Sequence, residues 1–142
     1  MTSFEKLRVL SERIIRERAY DPQQLAVILD AKFDMDDLDL PNVFQYYATL
    51  EGNEFFTKCD LRAPKTSAAK NAILVCYLHE NDMTDKDVYA AYGESVQSRQ
   101  ARAASGPSVP HYLSVDFDYA RLSFGYDKKS NTIKRLVIKF KL

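Results

Sequence analysis

The sequence predicts an α+β domain: one antiparallel sheet, built from a C-terminal meander over Tyr112–Leu142 and a hairpin over Asn42–Arg62, with helices packed mainly on one face. Three observations predict it. In Thr132–Leu142 the residues Leu136, Ile138, Phe140 and Leu142 fall on one side of a strand and Arg135, Lys139 and Lys141 on the other, broken only by Val137. Two segments rich in Phe, Tyr and Thr, Asn42–Leu50 and Glu54–Arg62, flank Glu51-Gly52-Asn53 as the arms of a hairpin flank its turn. Near the start of the chain Phe4, Leu7, Leu10 and Ile14 recur at helical spacing.

In chain order, Thr2 and Glu5 form a capping box that opens a helix over Ser3–Arg18. Asp21 is an N-cap ahead of Pro22 at the first helical position, and the stripe Leu25, Ile28, Leu29 carries a second helix to about Lys32. Phe33–Pro41 is predicted as a loop, because Asp34, Asp36, Asp37 and Asp39 crowd it and a proline ends it. After the hairpin, Ala72–Leu78 is a continuous apolar run that fits a buried strand or a buried helix. Its alanines, and Thr66 or Ser67 as a cap, decide for a helix over Ala68–Glu80. Thr84 and Asp87 cap a further helix whose stripe is Val88, Tyr92 and Val96, with stops at Gly93 and again at Gly106-Pro107. In the meander, Leu113, Val115 and Phe117 are odd and Leu122, Phe124 and Tyr126 even, so a bulge or tight turn is expected near Asp118–Ala120. The connector Asp127–Asn131 has hairpin length, and pairing Tyr126 with Thr132 sets Leu122 against Leu136. The chain is expected to be a single domain over 1–142, with 105–110 a flexible connector inside it.

Composition narrows the function classes. Hydrophobic residues make up 46% and charged residues 28%, which is ordinary for a soluble domain and argues against disorder. No apolar run reaches the length of a membrane span and the N-terminus does not read as a signal peptide, so a cytoplasmic protein without a membrane role is expected. Cys59 and Cys76 lack CxxC spacing and nearby histidines, and buried reduced thiols are the expectation. Net charge is zero, but Asp30–Asp60 holds eight acids against two lysines, while Asp127–Leu142 holds six bases against one acid. A neutral chain has little long-range attraction for nucleic acid, which is disfavoured as a partner.

The candidate sites are few. Asp116 and Asp118, two apart in a predicted strand, could hold a divalent cation, but no third carboxylate or glycine-rich phosphate loop accompanies them, and pairing with Arg121, Arg135 or Lys139 is the simpler expectation. His79 and His111 stand outside any motif that would make them bases. Arg135, Lys139 and Lys141, with Lys128 and Lys129 in the adjoining turn, form a basic strand face. Its neighbouring aromatics Phe124, Tyr126 and Phe140 fall on the buried side, so no stacking platform is expected. Asp34, Asp36, Asp37 and Asp39 form an anionic patch without the glycine and terminal glutamate of a calcium loop, suited to steering a basic protein partner. Nine tyrosines and no tryptophan leave several phenols for the surface, where tyrosine favours protein contact.

These residues point first to a non-catalytic protein-binding module, an inhibitor, immunity-type or adaptor protein that uses the acidic loop and surface tyrosines, with no cofactor and no metal. Two alternatives are a small metal-dependent enzyme at Asp116 and Asp118, and a ligand-binding cone with an apolar pocket between sheet and helices.

Overall fold

The computed structural model describes residues 1–37, 40–100 and 111–142; Asp39 and the expected connector at 105–110 lie outside them. The described residues form α1 (Ser3–Arg16), α2 (Pro22–Leu29), β1 (Asp34–Met35), β2 (Val43–Thr49), β3 (Phe56–Pro64), β4 (Asn71–Leu78), α3 (Asp85–Tyr92), β5 (Gln97–Gln100), β6 (His111–Asp116), β7 (Ala120–Tyr126) and β8 (Ile133–Lys141). All strands pair antiparallel in one sheet of order β1-β2-β3-β4-β8-β7-β6-β5. Two four-stranded meanders thus meet at β4 and β8, and the α+β fold with its C-terminal meander and Asn42–Arg62 hairpin is as the sequence predicts.

Local chemistry explains the helix ends. The Thr2 hydroxyl accepts from the Glu5 peptide N–H at 3.1 Å, and the Glu5 carboxylate accepts from the Thr2 N–H at 3.3 Å, the reciprocal capping box. The Asp21 carboxylate accepts from the Gln23 N–H at 2.7 Å with Pro22 at the first helical position. Helix α2 stops earlier than expected, because Asp30 turns left-handed at φ 50°. In α3 the Asp87 carboxylate accepts from the Thr84 N–H at 2.9 Å.

Three expectations are corrected. Ala68–Glu80 is not a helix: Ala72, Leu74, Cys76 and Leu78 are buried on one face and Ile73, Val75 and Tyr77 half-buried on the other, as befits a central strand apolar on both sides. The Thr66 hydroxyl that resembled a cap accepts from the Ala68 N–H at 3.2 Å and donates to Asn42 Oδ1 at 3.2 Å, tying the β3–β4 turn together. Of the two stops expected for the helix after Thr84, the earlier one holds: the α-helix ends at Tyr92, where Gly93, at φ 56°, breaks it, and β5 follows along the sheet edge. Asp34 and Met35, expected in a loop, pair with Tyr47 and Tyr46 as the opposite edge strand. Cys59 and Cys76, expected as reduced thiols, lie directly opposite across β3 and β4 with Cα atoms 4.2 Å apart and are joined as a disulfide.

The β7–β8 register differs by two residues from expectation. Tyr126 pairs with Ile133, and an irregularity beside Gly125 adds one more residue, so Leu122 faces Ile138 and Phe124 faces Leu136. A displacement of two preserves the face of every side chain, which is why the apolar set stays together. The phase slip near Asp118 is a tight turn closed by Phe117 N–H donating to the Ala120 carbonyl at 2.7 Å.

All three helices cover the same face of the sheet. Phe4 of α1 lies 5.5 Å from Phe124 and Tyr92 of α3 lies 6.5 Å from it, between ring centroids, while Tyr20 before α2 lies 5.3 Å from Phe140. Leu7, Ile14, Leu25, Leu61, Leu74, Leu122 and Ile138 complete a contiguous, fully buried core. Burial, with the Glu12 carboxylate adding and Arg8 opposing, pushes the Tyr92 phenol up to about 12.

Candidate binding surface on the open sheet face

With the helices on one side, the other face of the sheet is uncovered among the described residues, and cross-strand registers state which side chains share it. One row crosses all eight strands: Gln97, Ser114, Ser123, Val137, Val75, Asp60, Tyr47 and Asp34. The adjacent row runs Arg99, Tyr112, Gly125, Arg135, Tyr77, Lys58. On the other flank lie Asp116, Arg121, Lys139, Ile73 and Arg62.

Side-chain size along these rows creates relief. Ser114, Ser123, Val137 and Val75 are short, and they floor a trough walled on one side by Arg99, Tyr112, Arg135 and Tyr77 and on the other by Arg121, a cavity of about 510 Å³. The Ser114 and Ser123 hydroxyls are buried and hydrogen-bond each other at 2.7 Å, which fixes the floor at the basic end. The Tyr112 ring lies across Gly125, whose missing side chain makes room: a Cβ there would stand 2.9 Å from Tyr112 Cε1. Tyr77 is flanked by cations on both neighbouring strands, Lys58 Nζ at 4.5 Å and Arg135 Cζ at 5.2 Å from its ring centroid.

Asp116 and Asp118, the alternative metal pair, do not share a strand. Asp116 closes β6, while Asp118 belongs to the turn beyond it. Asp116 instead accepts from Arg121 Nε at 2.7 Å and Nη2 at 3.4 Å, and this bond holds its carboxyl below the usual range. The described residues contain no group of three or more His, Cys, Asp or Glu placed to hold a metal ion. His79 follows β4, where its Nε2–H donates to the Asn53 carbonyl at 3.0 Å; His111 rests 5.7 Å from Tyr126. Phe4, Leu7, Ile14, Leu25, Phe124 and Phe140 are buried together between sheet and helices, where a ligand-binding cone would hold its pocket.

Of the acidic run, Asp34 sits on β1 in register with Tyr47, at the far end of the first row, and its carboxylate lies 3.8 Å from Lys32 Nζ. The Asp36 N–H donates to the Gln45 carbonyl at 2.8 Å, and Asp37 is exposed. The charge of the open face is uneven: its β5–β8 half carries Arg99, Arg121, Arg135 and Lys139 against Asp116, whereas towards the β1 edge Asp34 and Asp60 are matched by Lys58 and Arg62.

Arg135 and Lys139 were legible in the sequence as a wet face, whereas Tyr77, Tyr112 and Arg99 were not seen to share it. Tyr77 stands beside Arg135 only through the β4–β8 register, which the apolar run Ala72–Leu78 does not announce. The premise that the basic face lacks aromatics therefore does not hold, although both rings are engaged by protein neighbours. No helix among the described residues is long and apolar enough to cross a membrane. Comparison of the chain with protein families, with curated proteins and with solved structures returns no match.

Proposed function

We propose that the chain is a non-catalytic protein-binding module of the inhibitor, immunity-type or adaptor kind, and that it engages its partner through the open sheet face, with Asp34, Asp36 and Asp37 at the rim, and through the further acid of that run, Asp39. One observation carries this reading: Tyr47, Tyr77 and Tyr112 lie on the same uncovered face as Arg99, Arg121 and Arg135. Tyrosine and arginine are enriched among the residues that dominate binding energy at protein interfaces: tyrosine buries a large area at modest entropic cost, and arginine brings a planar fork pre-organised for paired hydrogen bonds. The compartment we propose is the cytoplasm, and the Cys59–Cys76 disulfide, fully buried in the core, is shielded there from reductants.

The test uses the partner isolated from the native host with the tagged chain. Tyr77→Ala and Arg135→Ala are each expected to weaken that complex by about ten-fold or more, a loss of at least about 1.4 kcal/mol. Replacing Asp34, Asp36, Asp37 and Asp39 together by asparagine should leave the melting temperature nearly unchanged while slowing association and flattening its salt dependence. Unchanged affinity in both face variants contradicts the assignment.

A further inference from the structure

We infer that the trough on the open face takes an extended acidic peptide segment with carboxylates at positions i and i+4. This rests on the protein-binding reading and names the chemistry that the site recognises.

Arg99, Tyr112, Gly125 and Arg135 stand on four successive strands of one row. Neighbouring strands lie about 4.8 Å apart, so the two arginines are anchored about 14 Å from each other. An extended peptide advances about 3.4 Å per residue, so its i and i+4 side chains point the same way about 14 Å apart. A peptide laid across the strands on Ser114, Ser123 and Val137 thus presents one carboxylate to each arginine. Its i+2 side chain lies against the Tyr112 ring, which covers Gly125, and a small apolar group suits that contact. Guanidinium groups suit carboxylates because two parallel N–H donors meet two acceptor oxygens.

Charge complementarity favours an anion, and the tyrosines decide which anion. Single-stranded nucleic acid binds sheet faces by stacking bases on free aromatic planes. Here Lys58 and Arg135 flank Tyr77, and the Tyr112 ring lies against Gly125. Those rings stiffen the trough walls rather than offering stacking faces. A peptide needs no stacking and can use the arginines and the mixed Ser and Val floor directly.

The experiment is a fluorescence-anisotropy titration of the full chain with labelled Gly-Glu-Ser-Val-Ser-Glu-Gly, its isomer Gly-Ser-Glu-Glu-Val-Ser-Gly, and a short oligothymidylate. The first peptide is expected to bind about five-fold or more tighter than its isomer, and to weaken as salt rises. The double variant R99Q/R135Q should weaken it about ten-fold or more, whereas K6Q/K86Q, the same charge change on the helical side, should leave it within about two-fold. Equal binding of the two peptides, equal effects of the two variants, or tighter binding of the oligothymidylate overturns the inference. If the peptide does not bind while the host partner is still lost in Tyr77→Ala, the inference falls and the protein-binding reading stands; if that partner is retained as well, both fall.

Discussion

Leu74→Lys is expected to unfold the domain or to cost at least about 4–5 kcal/mol, while Val75→Lys, one residue on, should change stability by no more than about 1 kcal/mol. The contrast follows from period-two geometry. Leu74 is fully buried between Leu61 and Ile138 on the helix-covered side, where an ammonium has neither water nor a carboxylate to replace it. Val75 is half-buried on the open face with Asp60 in register beside it, so a lysine there can extend to water or pair. Urea denaturation of both variants checks the prediction. Similar losses in the two would mean that Asn71–Leu78 does not alternate as a strand.

Phe124→Ala is expected to cost about 3–5 kcal/mol, against no more than about 0.5 kcal/mol for Lys134→Ala on the exposed side of the neighbouring strand. The Phe124 side chain is fully buried and is the point where α1 and α3 both meet the sheet, through Phe4 and Tyr92. Truncation leaves a cavity bordered by two helices, and neither can collapse into it without breaking its contact with the other. Thermal denaturation gives the comparison. A small loss in Phe124→Ala would mean that the helices do not dock where the ring contacts place them.

What the sequence made legible was local. Thr2 with Glu5, and Asp21 with Pro22, announce helix starts because the hydrogen bonds they make span only two or three residues. The last strand is legible because one face is core and the other wet, so Leu136, Ile138 and Phe140 separate cleanly from Arg135 and Lys139. The missed elements are those where tertiary context outweighs pattern. Strand β4, between β3 and β8, is apolar on both faces, and its seven-residue run has no period to read. Thr66 makes the same short-range bond in a turn that it would make as a cap.

The surface was harder still. Arg99, Tyr112, Arg135 and Tyr77 come together only through four separate registers, one of which depends on an irregularity at Gly125 that no residue pattern announces. The acidic run was visible as charge, but the place of Asp34 at one end of the same sheet face follows from its pairing with Tyr47.

The claim that the open sheet face is the partner surface is tested most directly by lysine reactivity in the isolated complex. Lys58 and Lys139 stand on the open face, whereas Lys6 on α1 and Lys86 on α3 stand on the helical side. Amine-reactive labelling read by mass spectrometry, with and without the partner, is expected to show Lys58 and Lys139 protected and Lys6 and Lys86 unchanged. Protection of Lys6 and Lys86 with Lys58 and Lys139 still reactive would place the partner on the helices and contradict the account.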